Sequence, residues 1–331
     1  GLIAGIVLVP EIAQFAEPAT AGLELLLMRF SRDAERQSDD LGVEYSSKIG
    51  YDARMMSNFF NTLERQSSAS GQGEIPEFLS THPSPTNRSK DVAKLADEWI
   101  TKLNLSNPEV NRNSYLEKIE GLIYGDDTKQ GFLENNVFYH PELKFQFPIP
   151  QGWNYSNSPQ AVQMAPKDGK AVLMMTLAPA NSLNAAADST LSRYQLTPVS
   201  RSNLSINGFQ AMEMVADQVS QTATMRTINY FIQYNGLIYH FLGAAAAADY
   251  NSFVSSFQNS AKQFKTLTDA SKLNKKPERI RLKTVANAGT LKQVLSSLNM
   301  PAARHEELAI LNGMTLNDQV AQGMKIKVIG Q

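Results

Sequence analysis

Ser31 to Gly42 read SRDAERQSDDLG, and within this stretch Glu35 and Asp39 stand four residues apart, so that a helix places both carboxylates on one face, one turn from each other. The flanks favour that helix. Leu23, Leu26, Leu27 and Phe30 recur at spacings of three and four from a start near Ala19, and the period runs on through Ala34, Leu41 and Tyr45 to Gly50, a suitable C-terminal cap. Asp52 can cap the next helix, whose inward stripe reads Met55, Met56, Phe59, Phe60 and Leu63. SSASGQG, Ser67 to Gly73, reads as a loop. A third helix opens with Ser84 as N-cap and Pro85 in its first turn, turning Val92, Leu95, Trp99 and Leu103 inward, and a short fourth helix is expected over Tyr115 to Tyr124.

At 331 residues, 42% of them hydrophobic, the chain is long enough for two or three cores. Thirty-one basic against thirty-two acidic residues leave a formal charge of −1, which draws the chain to neither nucleic acid nor anionic lipid. With no cysteine, disulfides and thiolate metal sites are excluded, and any zinc must be held by imidazole and carboxylate. The opening GLIAGIVLVP has nine residues before Pro10, short of the ~20 apolar residues a bilayer span needs. It lacks the charged start and cleavage site of a signal peptide and begins inside an apolar run, so Gly1 is expected to be a cut end.

The character changes after Gly125. VLMMTLA, MRTINYFIQY and LIYHFLGAAA are strand-like runs rich in branched and aromatic residues, predicting an antiparallel sheet with helices over Asp188 to Tyr194 and Tyr250 to Phe264 packed on it. The charged run TDASKLNKKPE is expected to be a linker. Beyond it, RIRLKTV and MKIKVIG read as strands around helices over Leu291 to Leu298 and Glu306 to Leu311, with Asn312-Gly313 ending the second. The expected class is multidomain α+β: a mainly helical region over 1–125, an antiparallel-sheet α/β sandwich over 126–267, a linker over 268–278, and a small β-α-α-β unit over 279–331.

By spacing alone, E-x-x-x-D fits two readings. One is a solvated charged face made of Arg32, Asp33, Glu35, Arg36, Asp39 and Asp40. The other is a metal site. A catalytic zinc takes three protein ligands and leaves a fourth position for water, whose acidity the metal raises. In gluzincin peptidases two ligand histidines and the general base lie in H-E-x-x-H on one helix, a glutamate from a later helix is the third ligand, and an aspartate one turn on orients a histidine. This chain has four histidines and no H-E-x-x-H.

The run SRDAERQSDDLGVEYSSKIGYD, followed by a helix, a glycine-serine loop and THPSPTNR, resembles the HtpX and CAAX-prenyl-endopeptidase type of zinc metallopeptidase over about Gly1 to Leu103. The resemblance implies Glu35 as zinc ligand, Asp39 as the acid that orients a ligand histidine, and His82 as a catalytic-cleft residue that stabilises an oxyanion or occludes the zinc. Arg88, in the first turn of the following helix, is expected to pair with a carboxylate of the ligand helix. Ser38 departs from the usual alanine. In that family the histidine pair lies upstream of the ligand glutamate, so the resemblance implies that the fragment is silent alone. HPELKFQFPIPQGW is similar to the entry into PsbP-like α/β sandwiches, with Trp153 read as core. Thr290-Leu291 after Gly289, LAILNGM and Gly323 resemble a LysM module, although NAGT stands where a charged turn is usual.

The other histidines have no metal spacing: His140 reads as a turn residue, His240 as a satisfied sheet histidine and His305 as part of an exposed helix. No nucleophile elbow, phosphate loop or dinucleotide glycine pattern is present. Two functions stay open. One is the C-terminal portion of a bacterial zinc metalloendopeptidase acting on envelope or misfolded proteins, periplasmic or envelope-associated, with protein or peptide substrates and cell-wall glycan as a further partner. The alternative is a non-catalytic envelope adaptor with a relic peptidase segment.

Overall fold

The computed structural model describes residues 2–3, 6–8, 10–15, 32–69, 85–220 and 223–331. The chain divides into two units, Gly1–Gly22 with Asp126–Pro277 and Leu23–Gly125 with Glu278–Gln331. Within the apolar opening, β1 (Leu2–Ile3) and β2 (Ile6–Val7) pair as a hairpin, followed by α1 (Pro10–Ala13). Leu8, Ile12 and Phe15 are buried in the first unit with Val172, Leu242 and Ala244, so this apolar stretch is used for packing. Among the described residues no helix is long and apolar enough to cross a membrane.

The second unit begins with α2 (Arg32–Lys48), α3 (Met55–Ala69), α4 (Pro85–Lys102) and α5 (Arg112–Ile119). The buried stripe of α2 is Asp39, Val43 and Ser47, whereas Leu41 and Tyr45, which the apolar period turns inward, are exposed, Tyr45 at 59%. The helix is phased by α4, which meets it with Arg88, Val92 and Ala96, and carboxylates answer the arginine. On α3 only Phe60 of the expected stripe is fully buried; Met56 and Leu63 are partly so, and Met55 and Phe59 are exposed. Leu103 lies beyond the end of α4 and is exposed. The fourth helix starts and stops earlier than expected, because Glu120 turns to an extended conformation and Gly121 takes a φ of +85°. The expected loop at Ser67 begins inside α3, and its remainder, Ser84 and the proposed first turns before Arg32 lie outside the described residues.

The first unit continues as a two-sheet sandwich. Its elements are β3 (Phe132–Glu134), β4 (Val137–His140), β5 (Phe145–Pro148), β6 (Asn154–Asn157), β7 (Ala161–Ala165) and β8 (Ala171–Ala178). Then come α6 (Leu183–Tyr194), β9 (Thr197–Ile206), β10 (Phe209–Val219), β11 (Thr224–Tyr234) and β12 (Leu237–Ala246). The unit closes with α7 (Tyr250–Lys262), β13 (Lys265–Thr266) and α8 (Ala270–Leu273). The seven-stranded sheet runs β6-β7-β8-β12-β11-β10-β9 and the four-stranded one β13-β5-β4-β3, with every pair antiparallel.

Asn207-Gly208 and Asn235-Gly236 both have positive φ and join β9 to β10 and β11 to β12 through two-residue turns, which pins the register at Ile206↔Phe209 and Tyr234↔Leu237. The central strands are covered on both faces: Tyr239 and Phe241 share a core with Phe145, Phe257 and Phe264, while Ile238 and Phe231 meet Ala186 and Ala187 of α6. That double burial explains why these strands read as near-continuous apolar runs. The expected linker is tied down. Asp269 caps α8 by accepting from the Ser271 amide at 2.8 Å, and Lys272 and Lys275 both pair with Glu134 of β3.

The second unit ends with β14 (Arg279–Thr284), β15 (Gly289–Thr290), α9 (Leu291–Ser297), α10 (His305–Leu311), β16 (Gln319–Val320) and β17 (Lys325–Gly330). β14 pairs antiparallel with β17, and β15 with β16, around a core of Leu291, Leu295, Leu308, Ile326 and Val328. Thr290 and Gln293 form a reciprocal capping box at the start of α9. Asn312 stitches the end of α10 to β17: its amide donates to the Leu308 and Lys327 carbonyls, and its carbonyl accepts from the Lys327 amide. Arg65 of α3 donates to the Met314 carbonyl, so the helical region and this module share one unit.

Candidate active-site remnant

Glu35 and Asp39 lie one turn apart on α2, and Arg88 reaches them from α4. The guanidinium donates through Nε and Nη2 to the two Asp39 oxygens, both at 2.8 Å, a fork-to-fork pair, and its Nη1 lies 3.0 Å from Glu35 Oε2. Phe60 of α3 lies beneath it, with the guanidinium carbon 4.5 Å from the ring centroid. The three charged side chains are only 19%, 21% and 12% exposed for Arg88, Glu35 and Asp39, so none projects freely into solvent. Arg88 is held above the usual arginine range, first by its bond to Asp39 and then, against the cost of burial, by the charges of both carboxylates, and it remains a cation.

Sequence reasoning expected Arg88 to meet one carboxylate of the ligand helix, and the structure brings it to both. Phe60 was legible only as a core residue. Its role as a platform depends on α3 crossing beneath Arg88, for which no local pattern codes. Arg88→Met is expected to destabilise the protein by about 2–3 kcal/mol, because it strands two half-buried carboxylates side by side. Asp39→Asn in the same chain should recover part of that loss. Urea unfolding of the single and double variants measures both.

The described residues do not by themselves compose a zinc site. Among them no three His, Cys, Asp or Glu side chains are placed to hold a metal, and the Glu35–Asp39 pair has an arginine where an imidazole set is needed. His82 lies outside the described residues. His140 closes a turn, its Nδ1 accepting from the Leu143 amide at 3.2 Å. His305, expected on an exposed helix, is buried, and its Nε2 lies 2.9 Å from the Met300 carbonyl.

His240 is buried in the sheet, with Nε2 2.9 Å from Asn229 Oδ1 and its ring stacked 4.4 Å from Phe231. Burial, with Arg193 adding to it, pushes its pKa down to about 3. The unfolded chain therefore takes up a proton below about pH 6.5 that the folded chain refuses until about pH 3. This contribution to stability is complete above pH 6.5 and is lost as pH falls, by about 2 kcal/mol at pH 5. Chemical unfolding at pH 8 and pH 5 should show that loss, and His240→Gln should remove it.

Residues 5–96 match the model of Peptidase family M48. Glu35, Asp39, His82 and Arg88 all fall within the matched span. A relative from Danio rerio, "Metalloendopeptidase OMA1, mitochondrial", is 38% identical over 71 residues, 22% of this chain and 15% of that protein. The "Beta-barrel assembly-enhancing protease" of Yersinia pestis is 31% identical over 78 residues, 24% of this chain and 16% of that protein. The chain thus spans about a sixth of the length of these relatives. Among solved structures, the cyanobacterial PsbP protein CyanoP from Synechocystis sp. PCC 6803 aligns with a TM-score of 0.34 at 14% identity, covering 39% of this chain and 91% of that one.

Proposed function

We propose that the M48 segment supplies the glutamate-bearing half of a zinc metalloendopeptidase site. The observation that carries this reading is the Glu35–Asp39–Arg88 cluster lying inside the M48 match. In it, Glu35 is the carboxylate ligand, Asp39 orients a ligand histidine, Arg88 holds both side chains in place, and His82 has the role of stabilising an oxyanion or occluding the zinc. A bound zinc would acidify a water for attack on a peptide carbonyl. This sequence contains no H-E-x-x-H, so in this reading another segment supplies the imidazoles and the chain alone is silent. The sandwich presents protein substrate, and the βααβ module, LysM-like in its Thr290, Asn312 and Gly323 positions, contacts cell-wall glycan. The setting is the bacterial envelope or periplasm, where misfolded proteins are the substrates.

One observation favours the second reading, an envelope adaptor with a relic site: both carboxylates are already engaged by Arg88. Zinc content and casein cleavage decide between them, measured on a protein that joins this chain to an H-E-x-x-H segment and on its Glu35→Ala variant. Zinc and cleavage present in the parent and lost in the variant support the peptidase. Equal zinc in both overturns the ligand assignment.

A further inference from the structure

β9 (Thr197–Ile206) is one edge of the seven-stranded sheet, where it is bonded to β10 on one side. Every side chain from Thr197 to Asn203 is exposed, on both faces of the strand. Backbone groups along an antiparallel strand point alternately toward and away from the neighbour, and the Asn207-Gly208 turn fixes the phase. Ile206 and Phe209 close a two-residue turn and exchange both hydrogen bonds, so Leu204 and Ser202 also face β10. Arg201, Asn203 and Ser205 therefore aim their amides and carbonyls away from the sheet, and among the described residues nothing meets those six groups.

A bare edge pairs readily with another extended chain, and natural sheets blunt it with proline, charge or a bulge. β9 does so at one end. Pro198 and the bulge opposite Val215 and Ala216 interrupt the edge before Ser200. Arg201 is folded back over the sheet, its Nη2 2.7 Å from Asp188 of α6, and Ser202 to Ser205 carry neither charge nor proline. The opposite edge is treated differently: β6 has four residues, and Asn157 at its end donates to the Gln130 carbonyl. Beside the bare stretch lies an open cleft of about 370 Å³ with no charged residue in its lining, and Asn181, Asn184, Asn203, Gln210 and Gln233 bring amides to it.

We propose that the Arg201–Ser205 edge of β9 captures an extended, uncharged segment of another polypeptide as an added strand, with alternate side chains of that segment laid toward the amide-lined cleft. Donors and acceptors repeating at every second residue match a polypeptide backbone in the β conformation. A second copy of this chain is the poorer occupant, because five residues of edge fall short of the roughly 20–30 residues a side that stable protein interfaces use. A linear segment needs no more than the edge and the cleft. The proposal deepens the reading of the sandwich as the part that presents protein substrate, and rests on that reading for its partner.

The probe is a capped, fluorescein-labelled peptide of about seven residues in which valine alternates with threonine and glutamine replaces the central threonine. Its anisotropy on titration with the full chain is expected to saturate, and proline in place of the glutamine should weaken binding by about tenfold or more. Asn203→Pro should weaken the parent peptide as much while keeping the fold, because the amide it removes bonds nothing within the sheet. Hydrogen exchange on the unaltered chain is the second measurement: saturating peptide should slow the amides of Arg201, Asn203 and Ser205 by about tenfold or more. Absence of saturable binding, equal binding of the proline peptide, full binding by Asn203→Pro, or protection confined to other amides overturns the proposal. A concentration-dependent dimer that protects the same three amides without peptide gives the edge to a second copy and overturns it too. Neither readout involves zinc or cleavage, so failure here leaves the Glu35 ligand assignment standing, and failure of that assignment leaves the peptide binding to be seen.

Discussion

Glu35→Gln, in a protein that pairs this chain with an H-E-x-x-H segment, is expected to weaken zinc binding by more than about 100-fold, whereas Asp39→Asn should weaken it by roughly 10–100-fold. The difference follows from the two positions. Glu35 is the less buried of the two, its side chain 21% exposed against 12% for Asp39, and its Oε2 lies 3.0 Å from Arg88 Nη1. Asp39 is buried beneath it and gives both oxygens to the guanidinium, the geometry of a residue that fixes its neighbours. Glutamine keeps the size of Glu35, so loss of zinc in that variant reports the missing charge and not a collapsed site. Zinc titration against a chromophoric chelator measures both constants. If the order reverses, Asp39 is the ligand. If both variants match the parent, the cluster is structural, and the adaptor reading takes its place.

Gly243→Ala is expected to cost about 3 kcal/mol or more, the upper range for overpacking a core. A β-carbon at this position would stand 2.4 Å from Cγ of Phe257 and 2.7 and 2.8 Å from its two Cδ atoms. Neither partner can yield cheaply. Gly243 is paired with Leu173 on one side and Ile228 on the other, in the middle of the seven-stranded sheet. Phe257 is fully buried, with Trp153 set edge-on at 6.0 Å and Tyr250 at 6.4 Å. The methyl group would therefore push α7 off the sheet. Pairing Gly243→Ala with Phe257→Leu should recover part of the loss, because the two substitutions share one space. A urea midpoint for Gly243→Ala equal to that of the parent would mean that α7 is not seated on β12 as described.

Much of the molecule is legible without coordinates where the signal is local. The period that predicts α2 and α4, the branched and aromatic runs of β8, β11 and β12, and the order β-α-α-β after Arg279 all arise from neighbours within one or two turns of each other. The Glu35–Asp39 pair belongs to this class, since a spacing of four puts two side chains on one helical face whatever surrounds them. Phase and partners do not. Counting apolar residues turned Leu41 and Tyr45 inward, but Asp39, Val43 and Ser47 are the ones buried, because Arg88 from nearly fifty residues away makes a carboxylate face the better interior. His305 is buried for a similar reason: the Met300 carbonyl is there to meet its ring.

The charged run over 268–278 reads as a linker because nothing in it shows that Glu134 will stand within reach of Lys272 and Lys275. Nor does an apolar opening disclose which sheet its Leu8, Ile12 and Phe15 will cover. What this chain's residues settle by themselves is which segments coil, which extend, and that two acids share a turn. Which faces close, whether an acid meets an arginine, and that the Tyr239 hydroxyl is buried with no partner among the described residues are decided only when distant segments meet. Local geometry is set by covalent spacing, while burial and pairing are properties of the partner that arrives.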